Sequence, residues 1–214
     1  LQALGLDHEQ LINRPESLAN FLNSLKSLEL NLSNQQLTRL PTKYLAKLSN
    51  LGALNLSNNQ LTSLPYTVLG KFSNLYELNL SNNQLVRLPS SIGNLTSLQA
   101  LYLNENQLTD LPSSIGNFSN LQKLDLSNNR LISLPKSFGK LNRLEVLFLS
   151  HNQLTSFPES IGNLSNLRRF YLSHNQLTSL PESIGNLSSL REISLSHNQL
   201  TSLPNLFGKL NSLE

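Results

Sequence analysis

The chain has 214 residues and a formal net charge of +3, from 16 lysine and arginine residues against 13 aspartate and glutamate residues. This mild excess is scattered along the chain, so it does not form the basic footprint of a nucleic-acid or anionic-membrane binder. No apolar run reaches about 18 residues, so the sequence predicts no membrane insertion. Cysteine, methionine and tryptophan are absent, which excludes disulfides and thiolate metal sites and leaves leucine to build most of the core.

One pattern repeats from end to end. The segment 167–181 reads LRRFYLSHNQLTSLP, and the segment 190–204 reads LREISLSHNQLTSLP. The residues that open each LxxLxL motif are Leu1, Ser27, Leu51, Leu75, Leu98, Leu121, Leu144, Leu167 and Leu190, which makes nine units. All nine prolines stand in one column, spaced by 26 residues from Pro15 to Pro41, by 24 up to Pro89 and by 23 thereafter. A fixed period of this length predicts a solenoid of stacked repeats.

The motif LxxLxLxxNxL, as in residues 98–108, resembles the signature of the leucine-rich-repeat superfamily, and it covers essentially the whole chain. The linker LPxSIGNLxxL is similar to that of the 23-residue class found in intracellular Ras-pathway scaffolds, their plant relatives and bacterial repeat proteins. The resemblance implies an α/β fold, a right-handed horseshoe with a concave parallel β-sheet. Short helical, 3-10 or extended segments are then expected on the convex side. We expect residues 1–214 to form a single domain of about nine repeats.

Each column of the repeat also has a physical reason. Leu101 and Leu103 alternate with Tyr102 and Asn104, and this period of two predicts a short strand. An inward asparagine column would satisfy buried backbone groups in its own repeat and in the neighbouring repeat, because an amide both donates and accepts hydrogen bonds. Its members are Asn59, Asn83, Asn106, Asn129, Asn152, Asn175 and Asn198. Glu9 and Gln35 replace asparagine in this column, so we expect the N-terminal edge to be less regular.

Proline and glycine mark the outer wall. A proline just after the turn favours the start of a short helical or extended segment. A glycine follows four residues later, as in Pro158 and Gly162, and suggests a turn that needs positive φ. Residues 15–28 form an irregular insertion, and Leu18, Phe21, Leu22 and Leu25 share one helical face, which predicts an outer-wall helix. Neither end shows a polar cap, so we expect both ends to be truncated or uncapped.

The variable positions of the strands are the candidate binding residues, since they face solvent on the concave side. Between the two core leucines of each LxL, the first units carry glycine or asparagine, whereas aromatic residues appear from Tyr102 onward. Exposed clusters of aromatic and basic residues are typical of interface hot spots. The predicted partner-binding patch is Tyr102, Lys123, Asp125, Val146, Phe148, Arg169 and Tyr171. The alternative is that these neighbours only pack on one another and stabilise the sheet.

The histidines form a second candidate site. His8, His151, His174 and His197 share one column, and the last three are in consecutive repeats. Their side chains are expected roughly 5 Å apart, one per strand. They suggest a surface that responds to pH, or else a solvated face without a role. The only carboxylate in the column, Glu105, is two repeats away from His151, so a metal site is not expected.

Catalysis is not predicted, because a shallow curved sheet offers no cleft with an oriented base and an oxyanion site. Isolated glycines form no phosphate-binding loop, and no cofactor is expected. The function predicted is protein–protein interaction on the concave face by a monomer, with a bacterial host-directed effector role as one form of it. Recognition of a glycan or microbial-envelope polymer, and a purely structural array, are the alternatives. Seven N-x-S/T sequons, three of them on the concave face, disfavour the eukaryotic secretory route and favour a cytosolic or secreted bacterial protein.

Overall fold

The structure is a computed structural model that describes residues 28–40, 42–48 and 50–214. The expected insertion and helix at residues 15–28 lie outside the described residues, apart from Leu28. His8 and Glu9 also lie outside them. The number of repeats that precede Leu28 therefore stays a prediction.

The described residues form one eight-stranded parallel sheet in which each strand pairs with the next along the chain. The strands are β1 Leu28–Asn31, β2 Leu51–Asn55, β3 Glu77–Asn79, β4 Ala100–Tyr102, β5 Lys123–Asp125, β6 Val146–Phe148, β7 Arg169–Tyr171 and β8 Glu192–Ser194. The central residue of each three-residue strand from β3 to β7 is buried, and the residues on either side of it are half-buried or exposed. This alternation is the predicted period of two. It gives every strand one core face and one open face.

The first pairing is irregular, as predicted for the N-terminal edge. Leu28 pairs with Leu51, but Glu29 pairs with Ala53, so Gly52 is an extra residue in β2 and the register shifts there. Gln36 also has a positive φ of 55° in this repeat. From β2 onward the register is continuous, and corresponding residues of successive repeats lie side by side.

Leucines from the strand, the turn and the outer wall share one core. Within β5, for example, Leu124 is fully buried, and so are Leu121 at the start of the strand and Leu131 beyond the turn. Phenylalanine replaces leucine or isoleucine where the wall needs more volume, as at Phe118, and Phe138 is likewise fully buried. The cluster is continuous through the described repeats, which is the packing that a stacked array requires.

The asparagine column is a buried hydrogen-bonded ladder, as predicted. The Nδ2 group of Asn106 donates to the carbonyl of Leu103 in its own repeat (3.0 Å) and to the carbonyl of Leu80 in the preceding repeat (2.9 Å). Its Oδ1 atom accepts from the backbone N–H of Leu85 (3.0 Å). One side chain therefore satisfies backbone groups of two repeats. In the irregular repeat, Gln35 is exposed and its Nε2 group donates to the Ser33 carbonyl.

The outer wall consists of short helical segments, and from Tyr66 onward each begins directly after a proline. They are α1 Thr42–Leu45, α2 Tyr66–Leu69 and the 3-10 segments Ser90–Asn94, Ser113–Asn117, Lys136–Lys140, Glu159–Asn163, Glu182–Asn186 and Asn205–Lys209. The proline has φ near −68° at Pro158, and its carbonyl accepts the N–H of Ile161 (3.0 Å). The proline thus sets the backbone angle and supplies the first acceptor of the segment.

The expected reason for the glycine column was wrong. None of the column's glycines in the described residues has a φ in the left-handed region, and Gly70 has φ −65°. Their reason is close approach of the next repeat. A Cβ atom added at Gly93 would lie 2.5 Å from the Ser114 carbonyl oxygen and 2.7 Å from the Ser114 Cβ. Glycine is therefore required so that adjacent segments of the wall can stack.

Candidate functional site

The open face of the sheet carries two rows of side chains. We call the residues between the two core leucines of each LxL the inner row, which is Asn31, Asn55, Asn79, Tyr102, Asp125, Phe148, Tyr171 and Ser194. The leading row, two residues earlier, is Glu29, Ala53, Glu77, Ala100, Lys123, Val146, Arg169 and Glu192. The structure brings all seven predicted patch residues together on β4 to β7, in direct register. Arg169 is exposed and the other six are half-buried.

The aromatic residues of the patch are ordered by contacts with one another. The rings of Phe148 and Tyr171 stack with centroids 4.8 Å apart and planes 7° from parallel. The Nζ atom of Lys123 lies 4.9 Å from the Tyr102 ring centroid and 5.9 Å from that of Phe148. Since Lys123 is on the strand between these two rings, its ammonium bridges them by cation–π contacts. The patch thus contains one ring stack and a lysine ammonium that contacts two of its three rings.

The polar members of the inner row have a structural role that the sequence did not reveal. Asn31, Asn55 and Asn79 each accept, through Oδ1, the backbone N–H of the serine two residues later at 3.0 Å. Asp125 makes the same bond to the N–H of Ser127. One carboxylate oxygen of Asp125 therefore stabilises the strand end, and this aspartate is less available to a partner than the sequence suggested.

The aromatic residues of the inner row do not form this hydrogen bond to the backbone N–H two residues later. A phenyl or phenol ring at positions 102, 148 and 171 cannot accept the N–H of the residue two places on, although asparagine and aspartate do so in the same row. Short polar side chains that bond nearby backbone favour such turns. Replacing them by half-buried aromatic residues on the open face loses a stabilising contact without adding to the core. Such a local inconsistency is expected where a surface serves binding.

Charged residues missed by the sequence reasoning border the patch. The hydroxyl of Tyr171 donates to Glu192 Oε2 at 2.8 Å, and this bond to a carboxylate raises the pKa of Tyr171. Arg168 forms a salt bridge with Glu145, Nη1 to Oε2, at 3.4 Å. An open groove beside Tyr171 is lined by Arg168, Arg169, Arg191, Glu192 and Glu214. A sequence feature could have indicated this groove, because charged residues directly follow the opening leucines Leu167, Leu190 and Leu213.

The three described histidines form a stacked ladder. Ring centroids of His151 and His174 are 4.2 Å apart, and those of His174 and His197 are 4.0 Å apart, with planes 11° and 18° from parallel. All three are exposed. Stacked rings direct their nitrogen lone pairs side by side rather than at a common point. Among the described residues, no group of three or more histidine, cysteine, aspartate or glutamate side chains is arranged to hold a metal ion.

The backbone explains which residues fill the histidine column. His151, His174 and His197 have φ of 58°, 58° and 55°, and Asn82 and Asn128 in the same column have φ of 52° and 54°. Left-handed backbone is unfavourable for most side chains, but asparagine, aspartate and histidine are enriched there. The exchange between SNNQL and SHNQL therefore conserves a turn. The conformation also aligns the three imidazoles in register.

The ladder leads to a prediction for pH. Partial desolvation, and then repulsion from the charges of His197 and His151, lowers the pKa of His174. Because the folded-state pKa lies below the unfolded one, the unfolded chain binds more protons near pH 6. The contribution of His174 to stability is complete above the ordinary histidine pKa of about 6.5 and is lost as pH falls below it.

A double variant with His151→Asn and His197→Asn should show a higher His174 pKa in an NMR titration. A triple variant that also carries His174→Asn should lose this acid sensitivity of the folded state. An unchanged His174 titration in the double variant would contradict the coupling.

Comparison with known proteins agrees with this geometry. The family model described as leucine rich repeat matches residues 24–85, 73–131 and 119–177, and a second model, described as leucine rich repeats in two copies, matches residues 165–208. A leucine-rich-repeat protein of Leptospira interrogans is 40% identical with a TM-score of 0.84, and the match covers 90% of this chain and 49% of that one. An internalin of Listeria monocytogenes is 26% identical with a TM-score of 0.72, and the match covers 94% of this chain and 63% of that one. No curated protein matches the chain at a significant level.

The fold and its open inner row define a solenoid repeat protein, and the chain belongs to the leucine-rich-repeat family. It spans about half the length of the Leptospira protein and under two thirds of the internalin. Proteins of this family generally mediate protein–protein interaction and are typically non-enzymatic scaffolds. In the part of the chain that the structure describes, no helix has the length and apolar character needed to cross a bilayer.

Proposed function

We propose that this chain is a non-catalytic protein-interaction module that binds its partner as a monomer on the concave face, without a cofactor and without nucleic acid. The predicted patch on β4 to β7 would make the central contacts. The observation that carries the proposal is the Phe148–Tyr171 stack, half-buried on the open face of the sheet.

Three features support binding over mere sheet stabilisation. The aromatic positions replace residues that bond the local backbone in neighbouring repeats. The ring stack and the Lys123 contacts fix the side chains before a partner arrives, which lowers the entropy lost on binding. Aromatic and arginine side chains dominate interface energies, and the patch combines them within four strands. The two solved structures described above come from bacteria, so a host-directed role is part of this proposal and host proteins are the first partners to test.

The test replaces the stacked pair. A double variant with Phe148→Ser and Tyr171→Ser should lose at least tenfold in affinity for a captured protein, because interface hot spots are each worth about 2 kcal/mol or more. The thermal midpoint should change little, since neither ring belongs to the core. Host proteins retained by the immobilised chain are identified by mass spectrometry, and their affinities for both forms are measured by calorimetry.

A matched control removes apolar surface elsewhere. Tyr66 and Ile132 are 74% and 53% exposed and lie outside the patch, so Tyr66→Ser with Ile132→Ser should leave binding unchanged. Equal loss in both variants, or intact binding in the patch variant, would overturn the proposal.

Aromatic faces beside serine and asparagine groups also suit sugars. A glycan array that binds the chain in a Tyr171-dependent manner, with no protein captured, would favour the glycan alternative.

A further inference from the structure

The ring stack of the inner row ends at Tyr171. Between Tyr102 and Phe148 the row carries Asp125, and the Lys123 ammonium occupies the space between the two rings. Phe148 and Tyr171 then fill the next two places and stack at 4.8 Å. Beyond Tyr171, in register with it on β8, the residue is Ser194.

A ring above Ser194 would stand one strand spacing from the Tyr171 ring. Adjacent strands lie about 4.8 Å apart, which matches the separation of the Phe148 and Tyr171 rings. The Ser194 side chain is short and carries no ring. Among the described residues, the face of Tyr171 that points away from Phe148 therefore has no ring stacked on it. Ser194 is half-buried, which shows that the side chains around it leave it accessible.

The polar groups around this place already form hydrogen bonds within the chain. Glu192, two residues before Ser194, accepts the Tyr171 hydroxyl at 2.8 Å. The Ser194 hydroxyl bonds that of Ser173, which in turn accepts from the Ser196 hydroxyl at 2.9 Å. The floor is therefore a small polar network, and the wall is the flat face of Tyr171.

We propose that the place above Ser194 receives one aromatic side chain of the protein partner, which stacks on Tyr171 and extends the ring stack by one member. This inference rests on the proposed function of the concave face. The adjoining groove is lined by three arginines and two glutamates, so it presents both signs of charge, and an uncharged ring suits the place better than a cation or an anion. A ring continues the stacking geometry already present and requires no charge to be neutralised.

The test uses a Ser194→Tyr variant, in which a ring of the chain itself would occupy the place. A random-peptide phage library is selected on the chain, and affinities of the enriched synthetic peptides are measured by calorimetry. We expect every enriched family to contain tyrosine, phenylalanine or tryptophan. Ser194→Tyr should weaken binding at least tenfold while keeping or raising the thermal midpoint, because the new ring stacks on Tyr171. Ser194→Ala should bind like the unaltered chain.

A structural readout makes the result independent of how the variants fold. In the complex with the unaltered chain, NMR should show an NOE between the peptide ring and the Tyr171 ring. Absence of this NOE, enriched peptides without aromatic residues, or full affinity in folded Ser194→Tyr would each overturn the inference while leaving the proposed function intact. If no peptide is selected, or if Tyr171→Ser does not weaken the peptides, the proposed function fails and the inference falls with it.

Discussion

An Asn152→Ala variant should lose about 2–4 kcal/mol in free energy of unfolding, because it leaves several buried backbone groups without a partner. The Nδ2 group of Asn152 donates to the carbonyls of Leu126 and Leu149 at 3.0 Å each, and Oδ1 accepts the N–H of Leu131 at 3.0 Å. Alanine makes none of these bonds. A urea titration followed by circular dichroism measures the loss.

The position of Asn152 in the array adds to the effect. Its bonds join its own repeat to the preceding one, and solenoid stability depends on such nearest-neighbour interfaces. Hydrogen exchange should therefore show the largest loss of protection at the Leu131 amide. Gln153→Ala changes the exposed neighbour and should leave the urea midpoint unaltered. A midpoint that shifts equally in both variants would contradict the assigned role of the asparagine ladder.

The same bonds at a more open position allow a graded comparison. Asn198 bonds the carbonyls of Leu172 and Leu195 and the N–H of Leu177, but it is only half-buried. Water can replace some of these bonds, so Asn198→Ala should cost less than Asn152→Ala. This difference separates the loss of hydrogen bonds from the loss of burial.

The asparagine ladder shows what a repeat sequence can predict. The period predicted the register, and an amide that both donates and accepts hydrogen bonds suits the strand end of the seven units that carry asparagine there. The core was predictable for a related reason. A leucine that recurs at the same position of each repeat packs against the corresponding leucines of the neighbouring repeats. The irregular first pairing followed from Gln35, which departs from the column.

Contacts between neighbouring repeats were less predictable. A glycine column is compatible with either positive φ or close packing, and only the position of the Ser114 carbonyl decides between them. The histidine column suggested only a solvated or pH-responsive surface, but His174 has a positive φ, and so do Asn82 and Glu105 in the same column. In both cases the cause lies in backbone geometry, which composition and spacing do not contain.

The candidate surface was predictable in its members but not in its contacts. Alternation along the strand placed Tyr102, Phe148 and Tyr171 on the open face, where the structure has them. Nothing in the sequence showed that Lys123 bridges two rings or that Asp125 bonds the Ser127 amide. These contacts depend on side-chain conformations across strands, which composition and spacing do not contain.

A Gly93→Ala variant should be destabilised by about 1–3 kcal/mol, the usual cost of overpacking a close contact. The added Cβ would meet the Ser114 carbonyl oxygen at 2.5 Å and the Ser114 carbonyl carbon at 3.1 Å. Both atoms are backbone, so relief requires one repeat of the wall to move away from the next. The same substitution at Gly208 meets nothing within 4 Å in this chain.

Gly208→Ala is therefore expected to be neutral or to stabilise the chain by about 0.4–1 kcal/mol, since alanine restricts the unfolded chain more than glycine does. The two variants share one chemical change and differ only in whether another repeat lies against the glycine, so opposite signs in their urea midpoints would isolate the stacking contact. If the column instead served backbone flexibility, both alanines would act in the same direction. A Gly93→Ala variant as stable as the unaltered chain would show that the wall has room for a methyl group, and the close stacking of its segments would then not be what selects glycine.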